Sequence, residues 1–552
     1  MRLSTPLSKL LAFQDDAGHR VALRMRTGPV SSHRDVTFAD LGRGAAGFAA
    51  AMREAGATTG QRVALLMPHG ERLITSFFGC LYAGFVPSVI AWPNVKMDPE
   101  KYQRNVSTVV ARLAAHHLVT DTRSAEQLGG ALGRTNVVEP WADELPPPCE
   151  PTPRSSSPLL IQFSGGTTGA QKSVPIGAPQ LISQLESYSA RLALSEQDSI
   201  VSWLPLYHDM GLVACLLMPF IFRIPVSVFS PIEWVMDPLP FLKHVGESNA
   251  TLCWLPNFAF SFMANRVRAR DGLDLSSLRA VINCSEPVRD QSVSGFEAAF
   301  ADCGLREGVV QACYAMAETT FAVTQTPMGR PSRKLTVDAD SLRVGRVELA
   351  VDTGKILLSC GPAIDGAEIR VVNDDGSDAA ANAIGELEIR APFVMDDYLD
   401  ETARDRSVFH DGWYRTGDLG FVHDAELYVT GRKKDLIIVG GINVFPEDVE
   451  ACMSAVHGIR PGRTVAMGMD NDAMQTERLV VIAEVTDQAL LAQRASIERA
   501  LRAAISTDCG VTPSVVLLVP PQWIVKSTAG KISRIETKAR VLANWSALTA
   551  TR

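Results

Sequence analysis

Residues 63–92 read VALLMPHGERLITSFFGCLYAGFVPSVIAW. An apolar run of strand length, VALLMP (63–68), leads into a helical stretch, ERLITSFFGCLYAG (71–84), and then into a second apolar run, PSVIAW (87–92). Short apolar runs bounded by Gly, Pro or Asn suit strands buried on both faces of a parallel sheet, because crossover helices cover those faces. The same kind of run recurs at HHLVTD (116–121), LLIQFS (159–164), SIVSWLP (199–205), VSVFSP (226–231), ATLCWLP (250–256) and RAVINCSEP (279–287). Together these predict a large α/β lobe.

The pattern changes twice further on. After about residue 335 come closely spaced strands with little helix between them: KILLSC (355–360), AEIRVVND (367–374) and GELEIRAP (385–392). They indicate a small β-rich subdomain, about 335–432. Beyond Arg432 the chain reads as a strand (DLIIVG), a helix (PEDVEACMSAV) and a strand pair (TVAMGM, RLVVIAEV). A second helix (495–505) and a last strand (VVLLVP) follow. The expected division is therefore an N-terminal domain, 1–432, and an α+β C-terminal domain, 433–552, the latter within the usual size of an autonomous unit. No internal repeat is visible. Turn-rich stretches occur at 144–158 and 327–345.

Bulk properties narrow the class. The chain has 552 residues, too many for one ordinary core. Hydrophobic content of 46% and charged content of 21% are those of a globular protein. A formal charge of −8 argues against nucleic acid, which calls for basic stripes. The first residues hold only a short apolar stretch before Asp15 and Asp16, so no targeting signal is read. The uncharged run Gly211 to Phe222 contains Pro219 and is too short to span a bilayer, so no membrane span is expected. A cytoplasmic location is the expectation. The ten cysteines form no CxxC pair and read as reduced, buried thiols rather than zinc ligands.

Phe163 to Ser173, FSGGTTGAQKS, is the first segment that carries chemistry. Gly165, Gly166 and Gly169 let the backbone turn tightly and bring amide N–H groups close to a polyanion. Ser164, Thr167 and Thr168 add hydroxyl donors, and Lys172 adds a charge. The plain alternative is a surface turn between strand and helix. A P-loop would need GxxxxGK[ST]; counting from Gly166, Gln171 stands where its second glycine belongs.

This loop resembles the phosphate loop of the acyl-adenylate-forming superfamily. Six further segments agree in order: SWLPLYHDMGL (202–212), NCSEPVR (283–289), CYAMAETTF (313–321), DGWYRTGDLGFV (411–422), GRKKDLIIVGGINVFPEDVE (431–450) and KSTAGKISR (526–534). Within that superfamily the chain is most similar to fatty acyl-AMP ligases. WLPLYHDMGL and SEPVR carry that likeness, together with VHGIRPGRTVAM (456–467) and the extra segment containing RKLTVDADSLRVGR. Three departures stand out. Ser285 replaces the usual Ala, SCGPAIDG lacks the customary Arg after Gly361, and GAQKS replaces a proline-containing form.

The resemblance implies the acyl-adenylate-forming fold with a mobile C-terminal domain, ATP and Mg²⁺ as cofactors, and a fatty acid activated as acyl-AMP. Such a reaction sets a carboxylate against the α-phosphate, so catalysis must neutralise charge and hold the groups in line. By the resemblance Glu318 is the metal-binding carboxylate, Asp418 grips the ribose hydroxyls and Arg432 sits near ribose and phosphate. Tyr314 stacks on or flanks adenine, with Ser285 and Glu286 near its edge. Lys531 reaches the acyl carboxylate and α-phosphate, and Lys434 marks the hinge. His208 lines the acyl entrance, where it orients the carboxylate or serves as a core or second-layer histidine. Singly, each of these could be an ordinary capping, solvated or core residue. The final acceptor implied is the phosphopantetheine thiol of an acyl carrier protein. An acyl-CoA synthetase of the same fold and a non-catalytic homologue are the competing readings.

Overall fold

The structure is a computed structural model describing residues 5, 7–26, 33–93, 99–128, 135–141, 145–153, 158–164, 172–351, 353–399, 408–471, 476–526 and 532–549. Its largest sheet has eight strands, in the spatial order Ala322–Gln325, Val310–Ala315, Ala280–Asn283, Leu252–Leu255, Ile200–Ser202, Val226–Val228, Val21–Arg26, His33–Thr37. The six inner strands run parallel and the two edge strands antiparallel. Leu252–Leu255 and Ala280–Asn283 are buried at every position, as the continuous apolar runs require of strands covered on both faces.

A second sheet is wholly parallel, in the order Val86–Val89, Arg62–Leu65, His117–Val119, Asn136–Val138. The helix read between its first two strands spans Glu71–Ala83 and is buried along almost its whole length. It therefore lies inside the lobe rather than on its surface. Helix Phe38–Glu54 packs on it and begins with a capping box. Thr37 Oγ1 accepts the Asp40 N–H at 3.1 Å, and the Asp40 carboxylate accepts the Thr37 N–H at 3.0 Å.

One of the expected parallel strands has a different place. Leu160–Phe163, from the run 159–164, joins no parallel sheet; it pairs antiparallel with Ser173–Ile176. Nine residues connect the two, enough for a hairpin but not for a crossover helix.

The β-rich part is an antiparallel five-stranded sheet of Glu368–Val372, Gly385–Arg390, Trp413–His423, Phe409–His410 and Glu426–Arg432. The run KILLSC stands apart from it. Lys355–Leu358 pairs with Lys334–Val337, so the segment between the two main sheets builds its own two-stranded ribbon.

At the C-terminal end, Ile459–Asn471 pairs antiparallel with Thr476–Val485, which pairs parallel with Val515–Val519. Alternate residues of these strands enter two separate buried clusters. Ala466, Leu479, Val481 and Leu518 face one side with helices Pro446–Ser454 and Arg494–Cys509, while Val465, Met467, Val480 and Leu517 face the other with helix Arg534–Ala543. Neither cluster contains a residue before Ile437. Ile437–Val439 is the strand read in DLIIVG, but its hairpin partner Ile442–Val444 and the helix Arg534–Ala543 were not anticipated from the sequence. Among the described residues, no helix is long and apolar enough to cross a membrane.

Candidate active site

Asp418 and Arg432 face each other across neighbouring strands. That register sets Arg432 Nε 3.1 Å from Asp418 Oδ1. The other carboxylate oxygen accepts the Tyr314 hydroxyl at 2.6 Å, and the Asp418 N–H bonds Thr416 Oγ1 at 3.0 Å. Tyr314 is the penultimate residue of the strand Val310–Ala315 of the large sheet, so this cluster joins two sheets. Burial first, then the Asp418 charge, raises the Tyr314 phenol well above its ordinary range, which keeps it a hydrogen-bond donor. The Asp418 charge likewise holds the Arg432 guanidinium above its usual value.

Glu318 lies beside this cluster, buried in a single 3₁₀ turn, Ala317–Thr319. The turn is held from outside: the Met395 N–H bonds the Glu318 carbonyl at 2.8 Å, and Thr320 Oγ1 donates to the Phe393 carbonyl at 2.9 Å. Thr320 sits at φ +64°, a conformation a β-branched residue avoids unless its surroundings impose it. The Tyr398 hydroxyl donates to Glu318 Oε1 at 3.0 Å, and the Tyr414 hydroxyl lies 3.3 Å from that of Tyr398. Lys172 Nζ stands 4.4 Å from the centre of the Tyr398 ring. Burial raises the Glu318 carboxyl, Tyr398 and Arg432 oppose the rise, and Asp209 adds to it.

The third wall comes from the ends of parallel strands, where open α/β sheets place their ligands. Ser285, just past Ala280–Asn283, adopts φ +71° and sets its hydroxyl against Met210 Sδ at 4.0 Å. The Glu286 carboxylate accepts the Phe258 N–H at 2.9 Å. His208 lies in the turn after Ile200–Ser202, its ring tilted against Tyr207 at 4.9 Å, and the Tyr207 carbonyl accepts Gln162 Nε2 at 2.6 Å. A π-helix, Met210–Leu217, follows at once, capped by the Asp209 carboxylate, which accepts the Met210 N–H at 2.8 Å. Wide turns of this kind recur at functional sites. Gly211 is needed there: a β-carbon would collide with the Pro205 carbonyl.

Glu318, Asp418, Arg432, Tyr314 and Lys172 are thus brought together, with Ser285, Glu286 and His208 on the adjoining wall. Lys434, in the turn Lys433–Asp435, lies within electrostatic reach of Arg432, Asp418 and Lys172. Gly165, Gly166, Thr167, Thr168, Gly169 and Lys531 lie outside the described residues, but the residues flanking both loops are fixed. The Ser164 N–H bonds the Lys172 carbonyl at 3.0 Å. Lys526 and Ile532 form an antiparallel bridge, and Lys526 feels the charge of Glu286. Arg534 is held by Asp435 at 3.1 Å, Glu447 at 3.0 Å and Glu450 at 2.8 Å. Tyr398, Tyr414, Thr320, Asp209 and Arg534 were not singled out from the sequence. Of these, Asp209, Thr320, Tyr414 and Arg534 fall inside the quoted segments 202–212, 313–321, 411–422 and 526–534, and their place there was the available signal; Tyr398 lies outside all of them.

Among the described residues no group of three or more His, Cys, Asp or Glu side chains could hold a metal ion by itself. A single carboxylate completed by phosphate oxygens and water is how Mg²⁺ is commonly held, and Glu318, with one oxygen bonded to Tyr398, fits that use.

The fold, parallel-containing sheets followed by a small α+β unit, defines the class as an α/β enzyme. The chain belongs to the AMP-binding enzyme family, whose description matches residues 13–399. It is 30% identical over 516 residues to the medium-chain-fatty-acid–[acyl-carrier-protein] ligase JamA of Moorena producens, covering 87% of this chain and 86% of that protein. It is also 30% identical over 515 residues to the 4-hydroxyphenylalkanoate adenylyltransferase of Mycobacterium marinum, covering 86% and 81%. A solved structure from studies of the fatty acyl-adenylate ligases of E. coli and L. pneumophila superposes with a TM-score of 0.88. Identity is 26%, over 99% of this chain and all of that one.

Proposed function

We propose that this protein activates a fatty acid with ATP, forming acyl-AMP and pyrophosphate, and passes the acyl group to the phosphopantetheine thiol of an acyl carrier protein. The observation that carries the reading is the paired assembly Tyr314–Asp418–Arg432 and Tyr398–Glu318 in one crevice. Asp418 has its side chain ordered by Tyr314 and Arg432 before any ligand arrives, ready to accept hydrogen bonds from ribose hydroxyls. Arg432 is kept charged for a phosphate. Glu318 would hold Mg²⁺, which when bound neutralises triphosphate charge. Lys172 and the loop Gly165 to Gly169 hold the β- and γ-phosphates. Tyr314 flanks adenine, Ser285 and Glu286 lie at its edge, and His208 orients the acid. Lys531 screens the repulsion between the carboxylate and the α-phosphate.

In this reading the chain divides at 432/433, and the small domain turns about Lys434 between adenylating and transferring arrangements. The ribbon segment 334–358 supports a restrained rotation. Lys355 pairs with Asp448 and lies 5.6 Å from the centre of the Phe445 ring, while the Arg343 guanidinium covers Gly510. A restrained hinge leaves the transferring arrangement sparsely populated, so free CoA reacts slowly, whereas a carrier protein adds contacts of its own. The enzyme is incubated with ATP, Mg²⁺ and a fatty acid, then given CoA or a phosphopantetheinylated carrier. Efficient acyl-CoA formation would return the chain to the acyl-CoA synthetases; absence of acid-dependent pyrophosphate would make it a non-catalytic homologue.

A further inference from the structure

Cys452, on helix Pro446–Ser454, and Cys509, the last residue of helix Arg494–Cys509, bring their sulfurs to 3.6 Å. They differ from the other cysteines. Seven of those are buried, and the remaining one, Cys149, is half-buried with its thiol directed at the Ala46 carbonyl at 3.6 Å, much as the Cys452 thiol reaches the Val449 carbonyl at 3.1 Å; what sets the pair apart is the contact between its two sulfurs. Cys452 and Cys509 are both half-buried, so a small reagent can reach them. A disulfide needs about 2.05 Å between sulfurs, and side-chain rotation on two helices already packed together can supply the difference. The two sulfurs share a hydrogen bond in which either thiol can be the donor. That contact holds Cys452 below the ordinary thiol range and raises Cys509, which makes Cys452 the attacking sulfur.

The position of the pair gives it a consequence. Asp448, one turn before Cys452, is the residue that pairs with Lys355 of the ribbon segment. Gly510, next to Cys509, is the residue that Arg343 of the same segment covers. Two of the contacts that tie the small lobe to the ribbon segment therefore flank the two sulfurs.

We propose that Cys452 and Cys509 form a reversible thiol–disulfide site, oxidised by small-molecule disulfides, whose bond staples the small lobe on the face that meets the ribbon segment. The Cys452 thiolate attacks one sulfur of the small disulfide, forming a mixed disulfide and expelling one small thiolate. Cys509 then loses its proton to solvent and attacks the Cys452 sulfur, forming the internal bond and expelling the second thiolate. Two protein thiols lose two electrons and two protons, and the small disulfide becomes two thiols. In a reducing cytosol the pair rests as thiols and reports a shift of the thiol pool toward disulfide. The bond fixes Asp448 and Gly510 relative to one another and so stiffens the ribbon contact; this consequence rests on the two-arrangement reading above.

Incubating the full chain with oxidised glutathione, alkylating what remains and mapping peptides tests the site without any activity measurement. One disulfide joining the Cys452 and Cys509 peptides is expected, reversed by dithiothreitol and absent in Cys452→Ser and Cys509→Ser. Should one variant fold poorly by thermal unfolding, the other answers the same question. Recovery of both residues fully alkylated, or a glutathione adduct on Cys452 that never resolves, overturns the site. With the bond formed, transfer from acyl-AMP to a thiol acceptor falls severalfold while acid-dependent pyrophosphate release is unchanged, and Cys509→Ser loses this sensitivity. A bond that leaves transfer unaltered overturns the coupling.

Discussion

Replacing Arg534 with Met tests how the loop bearing Lys531 is anchored. Arg534 meets Glu450 at 2.8 Å, Glu447 at 3.0 Å and Asp435 at 3.1 Å, three residues beyond Lys531. Although burial opposes it, these carboxylates hold the guanidinium above its ordinary range. Glu450 is only 14% exposed, and its desolvation pushes its carboxyl up to about 7 from 4.5 despite the pull of Arg534. An acid whose folded value is raised binds more protons folded than unfolded. Its stabilising contribution is therefore complete below 4.5 and lost as pH rises through about 7. The gap between these values corresponds to about 3 kcal/mol at higher pH. Removing Arg534 strands an ionised Glu450, so the variant should lose about 3–5 kcal/mol at about pH 8. For a lobe of this size that is a fall on the order of 10 °C in its unfolding temperature. Near pH 5 Glu450 is neutral, and the loss should shrink by about 1–3 kcal/mol. Misplacing the loop should slow pyrophosphate release by about 10²-fold. Thermal scans at both pH values and an acid-dependent pyrophosphate assay read these effects. An equal loss of stability at the two pH values, or wild-type turnover in a folded variant, would refute the reasoning.

Lys531→Ala should lower adenylate formation by about 10²–10³ with ATP binding retained; near-normal pyrophosphate exchange would remove Lys531 from the mechanism. Glu318→Gln keeps shape and the Tyr398 bond but loses charge, so it should raise the Mg²⁺ concentration needed for half-maximal rate, and an unchanged Mg²⁺ titration would exclude it as the ligand. In Asp418→Asn an acceptor becomes an amide opposite Arg432, so KM for ATP should rise by about 10-fold or more, read by steady-state kinetics. Gly211→Ala should displace the turn carrying His208 and raise KM for the acid more than for ATP, because the added carbon meets the Pro205 carbonyl.

Four strands of the large sheet, Ile200–Ser202, Val226–Val228, Leu252–Leu255 and Ala280–Asn283, were legible because they lie in apolar runs and are buried at every position, whereas Val21–Arg26, His33–Thr37, Val310–Ala315 and Ala322–Gln325 were not read. Leu160–Phe163 carries the same pattern, yet its partner is set by the nine-residue loop after it, which composition alone did not reveal. The site was legible where a residue sits in a recognisable segment, as Glu318, Asp418 and Arg432 do. Tyr398 was not, since VMDDYLD gives no periodic or motif signal and its role depends on a contact across 80 residues of chain. Ser285 and Thr320 are similar cases: their left-handed backbones follow from the packing around them, not from their side-chain types.

The central claim is that a fatty acid becomes an acyl-adenylate in this crevice. Mass spectrometry of the products formed from ATP, Mg²⁺ and a panel of fatty acids, with pyrophosphate measured in parallel, tests it most directly. Acyl-AMP and pyrophosphate are expected in equal amounts, both dependent on the acid and both abolished in a folded Asp418→Ala variant. ATP turnover without acyl-AMP, or no acid-dependent turnover with any acid of the panel, would contradict it.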